Sequence, residues 1–260
     1  MRSFQIGRPF GFPLKVNLSF LLLLAAVWLW SGGAAGVALM VLAFASVVAH
    51  ELGHALVARR LNVRIKEIEL GFFGGAAKML DLPRSPRDEI AIAAAGPAVS
   101  FLVSATSYVA SFAIGGEASS LLGLVAMVNL GIGLFNLVPA LPMDGGRILR
   151  ALLSMRIGHL RATEGAVKIA RVFAVGLAAV GIVGLHLHLV VLAGLVWMMG
   201  TAELKMVRAQ YARGQYSGFV GDEDEPLSVQ YIPPASRPER IDKGTMPSPD
   251  GPVRVFVFRT

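Results

Sequence analysis

Val47-Val48-Ala49-His50-Glu51-Leu52-Gly53-His54-Ala55 closes a long apolar run, and how it is read decides how the rest of the chain is read. Side chains four apart share one face of a helix. His50 and His54 can therefore offer two imidazole nitrogens to one divalent ion, with Glu51 standing beside it. His-Glu-x-x-His is the spacing of metal-dependent peptidases. Its setting is not that of a soluble one: no charged residue occurs from Gly33 to Ala49, so lipid is expected around the helix that carries the pentad. An ionisable trio in such a span is costly unless it is paired or metal-bound, which makes a metal a better account than coincidence.

The composition agrees. Of 260 residues, 55% are hydrophobic and 16% charged, and the mean hydropathy is +0.63, which points to a polytopic membrane protein. There is no cysteine, so neither a disulfide framework nor a thiolate metal site can form, and any metal must be held by His, Asp or Glu. A formal charge of +7 would suggest nucleic acid in a soluble domain. Here its distribution gives a better explanation, and no nucleic-acid partner is expected. All 24 Lys and Arg fall in the N-terminal lead, in 59–87, in 147–171 and from Lys205 onward, while the loops 31–36, 115–120 and 184–188 contain none. The excess of basic residues in cytoplasmic loops then puts both termini and both long polar sections on the cytoplasmic side, with an even number of spans.

The expected fold class is an all-α polytopic membrane protein of about six transmembrane helices with a small interfacial β-hairpin. The spans are placed at about 16–30, 34–58, 90–114, 121–138, 169–185 and 189–206, the first closed by Trp28 and Trp30 in the aromatic-belt position. Residues 1–17 read as turns and short extended pieces at the interface. Residues 63–79 alternate with period two through Val63-Arg64-Ile65-Lys66-Glu67-Ile68-Glu69-Leu70 and turn at a glycine pair, which predicts the hairpin. Residues 1–208 form one membrane domain. Residues 209–260 form a polar, Pro-rich and largely flexible cytoplasmic tail, with a solvated acidic cluster at 222–225 and a terminal segment of strand character at 253–258.

A catalytic zinc takes three protein ligands and keeps a fourth position open. Asp144 is the only acidic residue between Glu117 and Glu164, and it follows the end of the fourth span. Asp before Gly is also an ordinary turn and helix cap. The ligand reading is preferred because the pentad needs a carboxylate on the same side of the membrane, and Gly145-Gly146 are expected to let backbone approach the metal helix closely. Asn129 and Asn136 are intramembrane amides, whose common work is hydrogen bonding between helices; Asn129 is assigned that role. His186 and His188 lie in a short external loop and are read as interface residues.

Three segments together resemble the site-2 protease family of intramembrane zinc metalloproteases. They are His50-Glu51-Leu52-Gly53-His54, Ala95-Gly96-Pro97 in the next span, and Phe135-Asn136-Leu137-Val138-Pro139-Ala140-Leu141-Pro142-Met143-Asp144-Gly145-Gly146-Arg147. The likeness extends over 1–208 and is to the compact six-span branch of sporulation-factor-processing proteases. It implies one Zn2+ held by His50, His54 and Asp144, with Glu51 as catalytic base. Asn136 would bind the substrate backbone or an oxyanion. It also implies a membrane-protein substrate cut within or near a transmembrane helix, in regulated intramembrane proteolysis at a bacterial inner membrane. No insertion is long enough for a PDZ domain, and the tail is too short for the paired CBS module of some relatives. The hairpin reads either as a strand that pairs with an unwound substrate segment or as an interfacial cap. The rival functions are a catalytically silent membrane-binding relative and a divalent-metal transporter, and the residues alone leave zinc against other divalent ions open.

Overall fold

Two strands of the N-terminal lead, not one hairpin alone, set the base on which the helices stand. The computed structural model describes residues 3–31, 33–71, 74–80 and 83–212. The chain begins with β1 (Ser3–Gly7), a 3-10 turn at Pro9–Gly11 and β2 (Leu14–Asn17), and continues with α1 (Leu18–Ser31) and α2 (Ala34–Arg60). The strands β3 (Ile65–Gly71) and β4 (Gly74–Met79) follow, then α3 (Pro86–Ala113), α4 (Glu117–Asn136), α5 (Asp144–Ile157), α6 (His159–Val183) and α7 (Leu187–Ala212).

The strands form one sheet in the order β1-β2-β3-β4, so the expected hairpin at 63–79 is half of a larger element. β1 and β2 pair antiparallel, as do β3 and β4. β2 and β3 run parallel, which the helical crossover α1–α2 between them permits. Leu14, Val16, Ile68 and Leu70 alternate onto one face and pack with Phe12, Phe20 and Ala55 against the helices. On the other face Lys15 lies 2.6 Å from Glu67, and Lys78 pairs with Glu67 and Glu69. The hydrogen bond from Lys15, seconded by that from Lys78, holds the Glu67 carboxyl below the usual carboxylate range.

Among the described residues five helices, α2, α3, α4, α6 and α7, are long and apolar enough to cross a membrane. The sixth expected span is α1, which has 14 residues because β2 takes up Val16 and Asn17. α6 starts at His159, ten residues before the expected boundary, since Arg161, Glu164 and Lys168 interrupt the apolar run but not the helix. α7 continues through Ala212, and the rest of the expected tail lies outside the described residues. α3 opens on Pro86 behind Ser85, whose hydroxyl accepts from the Asp88 N–H at 3.1 Å.

Outward faces of these helices stay apolar, with Leu102, Val109 and Phe112 on α3 and Val172, Val175, Val180 and Val183 on α6 all exposed. Water would not tolerate such a surface; lipid does. Inside, small residues bring the helices together: Ala166, Ala170 and Ala174 of α6 and Ala193 of α7 pack around Ala140, Leu141 and Met143. One buried ionic group crosses this interior. Arg150 of α5 donates from Nε to Glu89 of α3 at 3.0 Å, and its terminal nitrogens bond Glu89 and Glu203 of α7. Such a group fixes relative helix positions more than it adds net stability.

Candidate metal centre

The pentad lies in the second half of α2, so His50 and His54 fall one turn apart on a single face, with ring centroids 4.8 Å apart. α5 begins at Asp144, and its carboxylate reaches across to both rings: Oδ2 is 3.1 Å from Nε2 of His50 and 3.1 Å from Nε2 of His54. The N-cap of α5 is Met143, so Asp144 is not spent on capping the helix. All three side chains are buried.

The imidazoles are held from behind. Nδ1 of His54 lies 2.7 Å from the Ile92 carbonyl and Nδ1 of His50 lies 2.9 Å from Ser100 Oγ, both on α3. A carbonyl can only accept, so Nδ1 of His54 carries the proton and Nε2 of the neutral ring turns a lone pair toward the carboxylate. In the imidazolium, Nε2 instead donates to Oδ2, so the 3.1 Å spacing serves either a proton or a metal ion between the two atoms. Ligands roughly 2.0–2.2 Å from a tetrahedral ion stand about 3.3–3.5 Å apart, close to the spacing seen. The donor set therefore fits one tetrahedral zinc, with His50, His54 and Asp144 able to hold it. Ser100→Ala is expected to weaken metal binding by roughly 10–100-fold, as loss of an outer hydrogen bond to a ligating imidazole does elsewhere, and competition with a chromogenic chelator measures it.

Space for the ion comes from Gly96 on α3. A Cβ there would lie 2.2 Å from Nε2 of His54 and 2.6 Å from Nε2 of His50. Gly145 and Gly146 serve close approach too, but to a different partner than expected. A Cβ on either would meet the backbone of Leu137 at 2.2 Å or of Ala140 at 2.4 Å, so they fold the turn of α5 onto the loop after α4 instead of onto α2.

Glu51, next to His50 in the chain, lies in the same cluster of metal-binding atoms, within 4.8 Å of the two histidines'. Its Oε2 accepts the Ala77 N–H of β4 at 3.0 Å, on the edge of the sheet that faces α2. Glu51, Asp144 and both histidines border a cavity of about 430 Å³, closed by Gly75, Ala77 and Met79 of β4, by Leu192, Leu195, Val196 and Met199 of α7, and by Phe135, Asn136 and Arg147. Asn136 thus faces the cavity, where one amide hydrogen bonds the Ile132 carbonyl of its own helix at 2.9 Å. Asn129 is fully buried and donates to Ser46 of α2 at 2.9 Å, the helix-to-helix role expected of it. His186 and His188 are exposed at the α6–α7 turn. Ser100, the Ile92 carbonyl and Ala77 carry no motif signal of their own, and Arg147 stands in the sequence only as the last residue of the 135–147 segment, with no role attached.

A model of peptidase family M50 matches residues 37–117 and 112–180, a region that takes in the pentad, α3, Asp144 and most of α6. The chain belongs to this family. This M50 chain is 34% identical over 213 residues to a zinc metalloprotease of Methanocaldococcus jannaschii, covering 80% of the chain and 62% of the relative. It is 30% identical over 155 residues to stage IV sporulation protein FB of Bacillus subtilis, covering 57% of the chain and 51% of that protein. The solved structure of the site-2 protease from Methanocaldococcus jannaschii aligns with a TM-score of 0.63 at 33% identity, over 78% of this chain and 95% of that one. The M50 chain spans 62% and 51% of the length of these two curated relatives.

Proposed function

We propose that this M50 chain is an intramembrane zinc endopeptidase that hydrolyses peptide bonds within or beside transmembrane segments of other membrane proteins. One observation carries the reading. Three metal-seeking atoms from α2 and α5 converge on a single point inside a membrane helix bundle, with a second carboxylate at the next residue. Zinc held there supplies Lewis acidity, which lowers the pKa of water to about 7 and polarises the scissile carbonyl.

The chain's own residues supply the rest. Glu51 accepts a proton from the attacking water and passes it to the departing amine nitrogen. Ala77 N–H orients that carboxylate between the two transfers. Asn136 keeps one amide hydrogen for the substrate carbonyl or the developing oxyanion and its own carbonyl for a substrate N–H, since its other hydrogen is taken by the Ile132 carbonyl. The apolar walls from α7 keep bulk water away from an opened substrate helix, and β4 offers that unwound segment an edge to lie along. We place both termini and the mouth of the site on the cytoplasmic side, of a bacterial inner membrane, because the basic residues collect there. The similarity to a protein named for a stage of sporulation supports a role in regulated proteolysis.

The test is cleavage of a transmembrane peptide by the full chain in proteoliposomes, with zinc content measured in parallel. Chelation is expected to stop cleavage and added zinc to restore it. Asp144→Ala is expected to lower both zinc content and cleavage, because two imidazoles alone make an incomplete ligand set. Cleavage that survives complete metal removal defeats the reading. Zinc flux across the same vesicles would instead assign the site to transport.

A further inference from the structure

Arg147 is the one basic residue among those described that is neither exposed nor paired. Arg150 is shared by two carboxylates, Arg208 pairs with Glu164, Arg171 bonds Thr201 and lies over Trp197, and Lys15 pairs with Glu67. The unpaired basic groups elsewhere sit on exposed positions such as Arg60, Arg84, Arg87 and Lys168. Arg147 instead is half-buried in the wall of the 430 Å³ cavity, and no described side chain bonds it.

A guanidinium left without a partner in a largely apolar cavity is an expensive arrangement unless an anion arrives. Among the described residues no carboxylate pairs with it. Asp144 is committed to the two imidazoles and Glu51 to the Ala77 N–H, and these are the acidic groups that border the same cavity. We propose that Arg147 is a specificity-determining residue that pairs with an acidic side chain of the substrate close to the scissile bond. This rests on the protease reading above and adds the substrate's charge to it.

Geometry limits where that side chain can be. Arg147 stands three residues after Asp144 on α5, so their Cβ atoms are about 5–6 Å apart and both project from one face of the helix. Side chains on a helix lean toward its N-terminus, which brings the guanidinium back toward the level of the Asp144 carboxylate. An extended chain advances about 3.3 Å per residue. The partner therefore falls within about three residues of the bond that is cut. The planar fork of an arginine matches a carboxylate with two parallel hydrogen bonds, and a lysine would not reproduce that match.

The experiment takes a transmembrane peptide that the wild-type protein cuts, with its site read by mass spectrometry. Variants carry Glu, Gln or Lys at each of the three positions on either side. Cleavage is followed in phosphatidylcholine vesicles. Binding of the same peptides is followed by fluorescence anisotropy in the Glu51→Gln background, where they are held but not cut. At one position the wild type is expected to favour Glu over Gln by about tenfold in kcat/KM, with the same ratio in Kd for Glu51→Gln, the size of one charged hydrogen-bonded pair. Adding Arg147→Gln removes that preference, and adding Arg147→Glu turns it toward Lys. If the Arg147 variants do not fold, the wild-type ratio alone decides, and it must shrink as salt rises.

Three outcomes overturn the proposal: no charge preference at any position, a fall in Arg147→Gln that is equal for all peptides, or a preference that appears only with anionic lipid present. The first leaves Arg147 without this role, the second moves it to the chemistry or the scaffold, and the third gives it to a phospholipid headgroup. Failure of the protease reading looks different, because then no peptide is cut at all.

Discussion

Glu51→Gln is expected to leave one zinc per chain and to cut turnover by about 10²–10⁴-fold, the usual worth of a positioned general base. Gln has the same shape, and its carbonyl oxygen can still accept the Ala77 N–H that Glu51 accepts at 3.0 Å, so the side chain has a reason to stay in place. It cannot take a proton from water. Neither metal ligation nor the β4 wall depends on the lost charge, so the change should fall on kcat with KM little altered. Metal content by mass spectrometry and steady-state cleavage of one transmembrane peptide check both halves. A Glu51→Gln protein that cuts at the wild-type rate removes Glu51 from the mechanism and favours a base elsewhere. One that holds zinc and leaves a cellular phenotype unchanged favours the silent membrane-binding relative.

Gly96→Ala is expected to do more damage than loss of any supporting hydrogen bond. The added carbon would stand 2.2 Å from one ligand nitrogen and 2.6 Å from the other, well inside contact distance. Either both imidazoles swing off the point where they meet Asp144, or α3 retreats from α2. Neither way out is easy. Nδ1 of each ring is already tied to α3 through Ser100 and Ile92, so a shift of the rings breaks those bonds as well. Zinc affinity should fall beyond the roughly 10–100-fold that an outer-shell deletion costs, and cleavage should fall with it. Gly131→Ala on α4 is the control, because a Cβ there meets nothing within 4 Å. If Gly96→Ala binds zinc like the wild type, the ion is not held where the two Nε2 atoms meet Asp144.

The convergence of the histidine pair and Asp144, with Glu51 beside them, was legible because chemistry that needs a carboxylate and two imidazoles at membrane depth leaves few other residues able to supply it. The supports behind them were not. Ser100 is one hydroxyl among many, Ile92 contributes only a backbone carbonyl, and both acquire a role only when α3 is laid against α2. Gly96 was visible only within the Ala95-Gly96-Pro97 segment, and the sequence does not say that the atoms packed against it are the imidazole nitrogens of His50 and His54. The first two strands were read only as short extended pieces, and Val16 and Asn17 were given to the first span, because Leu14-Lys15-Val16-Asn17 offers four residues of alternation directly before an apolar run that dominates a hydropathy window. The start of α6 was misplaced for the complementary reason. Hydropathy reports which residues meet lipid, whereas Ala162, Thr163 and Ala166 are buried against protein in a stretch that also carries charge outward.

The shortness of α1 has a physical consequence for the centre beside it. Fourteen residues rise about 21 Å, some 9 Å less than the hydrocarbon core of an ordinary bilayer. A helix of that length crosses only where lipid is drawn thin, at a cost of a fraction of a kcal/mol for each ångström of mismatch. α1 packs on α2, the helix of the pentad. If α1 spans the bilayer, the dent it requires would sit beside the pentad helix and would shorten the path of water from the aqueous phase to the proposed centre.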